Sequence, residues 1–404
     1  MFWGEFFSRI MEKTTEIKRL GYHVLLLYRT FGPSVNLCAF LQLNDLAARE
    51  VIQFRHKRLL ELRKQDLNWA QVVFFVRGDA FLDEQVAKIC HDIGKKVVYV
   101  LDDDLLRVPA HLPSGPYYAQ RSVKRHIQNM MRYSDYFASP SETLLKRYGN
   151  LFSKTFRVIE PSVFQLKEKK YWEDGKVHIG FAGSADRGYD IDEILTEALC
   201  KIQAQYKDQI EIEIFGTSTK VAKMLDCKTY PYTESYEAYQ NQMAKLNWDI
   251  GLAPMPKSEF HACKHYNKLV EYSSFGIAGV YSNVLPYCGI VENEKTGLLC
   301  DNTPEAWVKA LSDLIDNSVL RKTISQNCLL KARTDFSVKV AADQMAQLLG
   351  DIELNQRVRS WKGSLGWIKI KGSCSWYMEK VKKYGWKTAF IAVIKILHRI
   401  RGVV

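Results

Sequence analysis

Short apolar runs rich in Val, Ile and Leu alternate along this chain with longer stretches whose apolar positions return every three or four residues. HVLLLY (23–28), bounded by Gly21-Tyr22 and Gly32-Pro33, reads as a buried strand, and a helical stretch carrying Leu37, Phe40, Leu41 and Leu46 follows it. QVVFFV (71–76), a helix over 81–93 and KKVVYVL (95–101), which ends in Asp102, Asp103 and Asp104, continue the pattern. A helix over 120–133, DYFAS (135–139), a short helix over 141–148 and TFRVI (155–159) complete it. Continuous apolar strands, rather than alternating ones, are what a parallel sheet covered on both faces requires, because neither face meets water.

QLKEKKYWEDG (165–175) has little to bury and reads as a linker. The alternation then restarts with VHIGFAG (177–183), a helix over 190–206, IEIEIF (210–215), a helix over 234–246 and WDIGLA (248–253). A helix over 263–274, GIAGVY (276–281), GLLC (297–300) and helices over 304–316 and 319–333 follow. Two α/β units in succession predict two doubly wound, Rossmann-like domains facing each other across a cleft. The N-terminal domain covers 1–165 and the C-terminal one 176–336, followed by an amphipathic closing helix (337–352) and a basic tail (353–404).

At 404 residues the chain has room for two domains of roughly 100–200 residues each. Its 47% hydrophobic and 25% charged residues exclude a disordered or low-complexity protein. Nine cysteines, an odd number without a C-x-x-C pair, argue against a disulfide framework or zinc ribbon and for a reducing compartment. The net charge of +12 is concentrated at one end: residues 355–404 hold 12 Lys and Arg against the single acid Glu379. The first 354 residues, with 45 basic and 44 acidic side chains, are near neutral, so a polyanionic partner is expected of the tail and nucleic acid is not expected of the body.

MFWGEFFSRIMEK at the start carries Glu5 and Arg9 inside its apolar stretch and no cleavage pattern, unlike a secretory signal. Residues 272–291 are uncharged but broken by Pro286 and several Gly and Ser, and read as a buried strand with its turns rather than a membrane span. In the tail, Trp361, Trp367, Trp376, Tyr377, Tyr384 and Trp386 interleave with lysines, and Thr388–Ile394 adds an apolar face too short to cross a bilayer. Aromatics among cations suit single-stranded bases or the headgroup zone of an anionic membrane. The aliphatic residues favour the membrane, since nucleic acid offers them no apolar phase. A helix packed on the body is the remaining reading.

Candidate chemistry lies at three places. GFAGSADRGYD (180–190) turns from strand to helix through Gly183, Ser184 and Arg187, where backbone N–H groups and a cation can receive a phosphate. It is not G-x-G-x-x-G, and a glycine-bearing turn with a solvent-facing arginine fits as well. In FHACKHYNKLVEYSSFG (260–276), a helix from 263 puts Lys264, Lys268 and Glu271 on one face, joining cations for phosphates to an acceptor for ribose hydroxyls. The plain alternative is a surface Lys–Glu pair worth about 0.3–0.5 kcal/mol. His261, Cys263 and His265 lack the H-E-x-x-H spacing or a second cysteine, so no metal is expected there. VVYVLDDDLLRVP (97–109) ends a strand in three mutually repelling carboxylates. They fit a D-x-D metal site, an aspartyl nucleophile of the haloacid-dehalogenase phosphatase type, or a cleft wall that holds a substrate hydroxyl or caps a helix. Leu105-Leu106 stand where the phosphatase pattern wants Thr or Val, which favours the cleft wall.

HIGFAGSADRGYD, WDIGLAPMPKSEFHACKHYNKLVEYSSFGIAGVYSNVLPY, ENEKTGLLCDNTPEAW and TDFS, in that order over about 176–337, resemble the donor-binding half of retaining nucleotide-sugar glycosyltransferases of the GT-B fold. The nearest group is glycosyltransferase family 4, also called group 1. The N-terminal half is similar more loosely, through VVFFVRG and YVLDDDL, to bacterial members that make surface polysaccharides. The resemblance implies that Glu271 binds the nucleotide's ribose and that Arg187 and Lys264 hold its diphosphate, with Lys268 beside them. Gly183 and Ser184 would lie under the pyrophosphate and Ser282 would line the far side. Asp102 to Asp104 would face the acceptor or the sugar, with Asp102 and Asp104 the catalytic candidates beside Lys264.

One departure stands out: Cys263 occupies the place, eight positions before Glu271, of the family's first glutamate, and Glu259 is the candidate replacement. The implied activity is retaining transfer of a sugar from a nucleotide-diphosphate sugar to a glycan or lipid-linked acceptor, in cell-surface polysaccharide synthesis, with neither metal nor other cofactor. The implied location is the cytoplasm, with residues 355–404 on the anionic inner face of the membrane. The alternatives are a metal-dependent phosphatase or phosphotransferase at Asp102 and Asp104, and a non-catalytic nucleotide-binding scaffold of the same fold, which Cys263 would suit.

Overall fold

A computed structural model of the chain describes residues 19–162, 169, 172–233, 235–355 and 358–384. The MFWGEFFSRIMEK stretch, most of the 165–175 linker and the apolar end of the tail from 385 onward lie outside the described residues.

The first unit is a six-stranded parallel sheet built from β1 (His23–Tyr28), β2 (Gln53–Arg58), β3 (Val72–Val76), β4 (Lys96–Val100), β5 (Tyr136–Ser139) and β6 (Lys154–Arg157), in the order β2-β1-β3-β4-β5-β6. Its principal helices are α1 (Leu41–Ala48), α2 (Phe81–Asp92), α3 (Arg121–Arg132) and α4 (Glu142–Tyr148). Strands β1, β3 and β4 are buried almost throughout, as their apolar runs require. QFRHKR of β2 was not foreseen: it is an edge strand, paired in parallel with β1, and its charged exterior erases the apolar signal.

The second unit repeats the plan with β7 (Val177–Ala182), β8 (Ile210–Phe215), β9 (Lys228–Tyr230), β10 (Ile250–Ala253), β11 (Ala278–Ser282) and β12 (Leu298–Cys300), ordered β12-β11-β10-β7-β8-β9. The helices are α5 (Ala185–Tyr206), α6 (Tyr236–Leu246), α7 (Asn267–Phe275), α8 (Pro304–Asp316) and α9 (Ser318–Thr334). These are two doubly wound α/β domains. In each sheet the strand order reverses once, between β1 and β3 in the first and between β7 and β10 in the second. At such a reversal the flanking connections leave to opposite faces and open a crevice beyond the strands' carboxyl ends. Both crevices therefore follow from topology before any side chain is considered.

Two segments tie the chain's end to its beginning. Helix α10 (Val338–Gly350) packs Ala342, Met345, Ala346 and Leu349 into the core containing Val24, Leu26, Leu43 and Leu46, and Arg49 Nη1 meets Asp343 Oδ1 at 2.7 Å. The start of the tail then runs along the same domain. Asn355 Nδ2 donates to Gly94 O at 2.9 Å, Arg359 N to Ile93 O at 2.9 Å and Trp361 N to Asn68 Oδ1 at 2.9 Å. Leu365 is buried in the same cluster as Leu82 and Val86, and α11 (Gly366–Tyr384) rests Gly372 on Leu82. The described part of the tail is thus a packed strap and helix, not a free appendage, because Trp361 and Leu365 have an apolar helix face to cover. In the linker, the Trp172 ring stacks on His178 at 4.5 Å, and Lys169 donates to the side-chain oxygen of Asn247 at 3.1 Å, so this charged stretch is anchored to the second domain.

All nine cysteines are free thiols, and no helix among the described residues is long and apolar enough to cross a membrane. In the second core, Trp248 is fully buried and donates from Nε1 to Glu213 Oε2 at 2.9 Å. Its indole fills the space where a Cβ on Gly180 would stand, 1.8 Å away. Gly180→Ala is therefore expected to destabilise the protein by about 1–3 kcal/mol, the usual cost of overpacking a rigid core, read as a lower urea midpoint at unchanged slope.

Candidate functional site

The crevice of the second domain is built around the turn after β7. Gly183 N donates to Phe215 O at 2.9 Å, and a Cβ here would lie 2.8 Å from Arg187 Cβ and 2.9 Å from the Phe181 ring, so only glycine lets the turn close this tightly. Ser184 is the N-cap in extended conformation, and α5 starts at Ala185, five residues earlier than the apolar pattern suggested. Arg187 N and Gly188 N turn back onto Ser184 O at 2.9 and 3.1 Å. The amides before them stand at the open, positive end of a 22-residue helix.

Arg187 spans the strand-order reversal from β7 to β10. Its Nη2 donates to Pro254 O at 3.1 Å, and its Nη1 lies 2.6 Å from Asp190 Oδ2. Burial opposes the charge on this guanidinium, and Asp190, with Tyr287, Asp103 and Tyr272 behind it, more than restores it. Asp190 is backed by His261 Nε2 at 3.5 Å, and His261 Nδ1 lies 2.7 Å from Ser258 Oγ. Asp186, in the same first turn, reaches across to the other domain and accepts from Ser114 Oγ at 2.8 Å and Ser114 N at 3.2 Å. Its negative charge is thereby turned away from the helix end.

The 260–276 segment differs from the expected single helix. His261–Cys263 is a 3₁₀ turn, Lys264 is extended, and α7 begins only at Asn267. Lys264 therefore does not share a helix face with Lys268 and Glu271. It crosses the cleft instead, with Nζ 3.1 Å from Asp103 Oδ1. Lys268 and Glu271 form an ion pair, and Tyr239 OH donates to Glu271 Oε2 at 3.0 Å. Tyr239 stacks on Phe215 at 5.2 Å, and Phe215 O is the group that holds Gly183 N. Glu271 and Gly183 are thus linked through Tyr239 and Phe215.

Ser282 plays a different part from the one expected. It is fully buried, accepts from Met255 N at 2.8 Å and donates to Asn302 Oδ1 at 2.6 Å, while Asn302 Nδ2 donates to Met255 O at 2.9 Å. The hydroxyl is spent fastening the loop after β10. Cys263 is also fully buried, packed with Leu144 and Tyr148 of the first domain, and burial pushes its thiol up to about 11. Glu259 is largely exposed, with Oε2 3.4 Å from Arg147 Nη2 and 3.7 Å from Arg107 Nε.

The three carboxylates after β4 separate completely. Asp104 is fully buried: Tyr148 OH donates to its Oδ1 at 2.7 Å, and Arg147 and Arg107 hold Oδ2. It is a structural clasp with no oxygen left for a substrate, which corrects its candidacy as a catalytic group and removes the D-x-D pair that a phosphatase or metal site would need. Asp102 and Asp103 share Arg77, whose Nη1 lies 2.8 and 3.1 Å from them. Burial raises Asp102. It acts the same way on Asp103, but there Lys264 and then Arg77 overcome it and hold the carboxyl far below the usual range. Arg77 itself sits in the left-handed region at φ 53°, a conformation that costs a non-glycine residue roughly 1–3 kcal/mol and concentrates at functional sites.

Beside Asp102, the Cys38 thiol donates to Glu160 Oε1 at 3.0 Å, and Glu160 Oε2 lies 3.0 Å from His265 Nδ1. One ligand atom each of Cys38, Asp102 and Glu160 falls within 4.8 Å of the others, close enough to hold a cation. Each carboxylate already has a partner, however: Arg77 on Asp102, His265 and the thiol on Glu160. His261 and His265 diverge to these separate partners and do not form a cluster with Cys263. Sequence reading missed Arg77, Asp190 and Tyr239, and it chose Asp102 and Asp104 rather than Asp103 among the three carboxylates. Arg77 alone carried a visible signal, as the charged residue that ends VVFFV at a strand's carboxyl end.

Two Rossmann-like domains facing across a cleft, each with its crevice at the strand-order reversal, are the GT-B architecture. Solved structures of this architecture include HepE from Anabaena with UDP and glucose bound, at a TM-score of 0.58 and 14% identity over 82% of this chain and 100% of that one. Sucrose-phosphate synthase from Thermosynechococcus elongatus matches at 0.56 and 12% identity, over 81% and 98%. A Listeria monocytogenes protein described as a UDP-N-acetylglucosamine 2-epimerase matches at 0.54 and 11%, over 85% and 100%. No family model and no curated protein matches the chain. At such identities the likeness establishes the fold, and the site must supply the rest.

Asp103 is ionised well into the acid range, so its link to Lys264 is present above the carboxyl's ordinary value and is lost only as pH falls through the lowered one. Small-angle scattering of the free protein is expected to give the same radius of gyration at pH 7 and pH 5. Asp103→Asn is expected to enlarge it at both, whereas Asp102→Asn, whose partner Arg77 lies in its own domain, leaves it unchanged.

Proposed function

We propose that this chain transfers a sugar from a nucleotide-diphosphate donor to a glycan or lipid-linked acceptor with retention of configuration, in the synthesis of a surface polysaccharide. One observation carries the reading: the open end of α5, Arg187 and Lys264 converge on the second domain's crevice, with Glu271 linked to Gly183 through Tyr239 and Phe215. A nucleoside diphosphate asks for this combination, with cations and amides for its phosphates and a carboxylate for its ribose hydroxyls. HepE, solved with UDP-glucose in the same architecture, supports the choice of ligand class.

In this reading the donor lies over Gly183 and Ser184, and Lys264 exchanges Asp103 for the diphosphate. As the bond from the anomeric carbon to the phosphate oxygen breaks, its electron pair stays on the diphosphate. Arg187, Lys264 and the helix amides, already in place, stabilise that charge without a metal. The acceptor hydroxyl approaches from the first domain beside Asp103 and forms the new bond on the face the diphosphate leaves. Asp103, with Arg77 still on it, is a weak base that orients this hydroxyl, and the departing phosphate oxygen takes the proton. Cys263, spent on packing, leaves Glu259 as the acidic group of its loop.

The tail supports a membrane-bound acceptor on the cytoplasmic side. Trp367, Ile370, Cys374 and Met378, spaced three and four residues apart along α11, form an exposed apolar stripe beside lysines. The full chain is expected to cosediment with phosphatidylglycerol vesicles and not with phosphatidylcholine ones, and Trp367→Ala to weaken that binding. Equal binding to both, or to neither, defeats the membrane assignment.

The donor assignment is tested with UDP-, GDP-, CDP-, dTDP- and ADP-sugars in a thermal-shift panel, in which the matching donor raises the melting temperature with concentration. Arg187→Ala and Glu271→Ala are each expected to weaken that donor roughly 10–100-fold, as loss of a hydrogen bond to a charged group implies, and to abolish transfer. A panel without any shift, or undiminished turnover in either variant, overturns the proposal.

A further inference from the structure

The strand-order reversal between β1 and β3 opens a second crevice, of about 350 Å³, that the donor does not use. This volume lies within the roughly 300–1,000 Å³ of small-molecule sites. Its walls are the loops after these two strands, with Arg29, Ser34, Arg77 and Asp79, closed on one side by Ser114, Tyr117 and Tyr118. We infer that this crevice binds an uncharged glycosyl unit, the acceptor sugar of the transfer proposed above. Its role as an acceptor site rests on that proposal, whereas its ligand class follows from its own chemistry.

The charge balance decides against an anionic ligand. Arg29 is already paired with Asp79 at 2.8 Å and with Asp83, and Arg77 with Asp102 at 2.8 Å and Asp103 at 3.1 Å. Four carboxylates thus surround two guanidiniums, and a phosphate or uronate entering here meets no unmatched cation and several fixed negative charges. What the walls do offer is a mixed array of donors and acceptors. Tyr117 OH donates to Asp79 Oδ1 at 3.2 Å, and Ser34 Oγ lies 3.5 Å from Arg77 Nη1. Tyr117 and Tyr118 meet edge to face at 5.0 Å, and burial pushes the Tyr118 phenol up to about 12, so it remains a neutral ring and donor at physiological pH. Paired carboxylate and guanidinium groups beside an aromatic ring match vicinal hydroxyls and the C–H face of a pyranose, which both donates and accepts.

The crevice also adjoins the donor cations through two direct links. Ser114 on its rim bonds Asp186 in the first turn of α5, and Asp103 connects Arg77 in its wall to Lys264.

The test uses saturation-transfer NMR on the full chain with UDP at saturation, so that the donor crevice is filled. The probes are the methyl α-glycosides of glucose, galactose, mannose and N-acetylglucosamine, with glucose 6-phosphate and methyl glucuronide as anionic counterparts. At least one neutral glycoside is expected to bind, and both anions to bind at least tenfold more weakly. Tyr118→Ala and Ser34→Ala, the second removing one hydroxyl and almost no packing, are expected to weaken the glycoside at least tenfold and threefold. Neither should alter the melting-temperature shift given by UDP, which serves as the fold control. Silence from all four neutral glycosides, preference for either anion, or glycoside binding untouched by both variants overturns the inference. Glycoside binding that depends on Tyr118, in a protein whose melting temperature no nucleotide shifts, overturns the donor proposal and supports this one.

Discussion

Asp103 lies between two cations that belong to different domains. Arg77 reaches it from the end of β3, and Lys264 reaches it from the extended segment before α7. A half-buried carboxylate is costly unless it is paired, so removing either cation leaves Asp103 resting on the other. That constraint couples three things that are otherwise independent: the left-handed backbone of Arg77, the closure of the two domains and the position of a lysine suited to a diphosphate. Breaking the Lys264 contact would therefore touch the seam and the first domain's crevice together, since Asp103 belongs to both. The other cross-domain contacts, Ser114 with Asp186, Glu160 with His265 and Glu259 with Arg107 and Arg147, hold the same two surfaces together around it.

The two domains use the same topology for different electrostatic ends. In the second, the reversal between β7 and β10 gathers a helix N-terminus and Arg187, which is matched by the single carboxylate of Asp190, while Ser114 of the first domain engages Asp186. In the first, the reversal between β1 and β3 matches each arginine with two aspartates and adds two tyrosines, so the charge is spent and hydrogen-bonding groups remain. A fold shared by a sucrose-phosphate synthase and a protein described as an epimerase does not itself select a reaction. What differs between its two crevices here is the charge balance: one carboxylate on Arg187 in the second, two on each arginine in the first.

How far the site was legible in the chain depended on how local its determinants are. Gly183 and Ser184 were readable because a tight strand-to-helix turn must carry a small residue and a cap at fixed offsets from the strand. Lys268 and Glu271 pair because three residues on a helix bring side chains together. Lys264 was misplaced because helical periodicity continues through 263–266, whereas the backbone there opens to let Cys263 pack into the other domain. Asp102, Asp103 and Asp104 are three identical letters in a row. A buried position with Tyr148 and two arginines, a shared guanidinium and a cross-domain lysine give them three different fates, and those partners lie up to 161 positions away.

By itself the sequence determined the parts whose cause is periodic or local: continuous apolar strands, hence a buried parallel sheet, and their recurrence after a polar linker, hence two α/β domains. It also determined where a tight glycine-bearing turn meets a helix start, since backbone and side-chain groups within five residues make that turn. Tertiary structure alone decided which charges remain available. Whether Arg187 bridges a crevice, whether Ser282 presents or spends its hydroxyl, and whether Trp361 packs on the first domain while Trp367 faces solvent are outcomes of pairing between distant segments. Pairing of that kind depends on distance in space, and nothing in the spacing of residues along the chain encodes it.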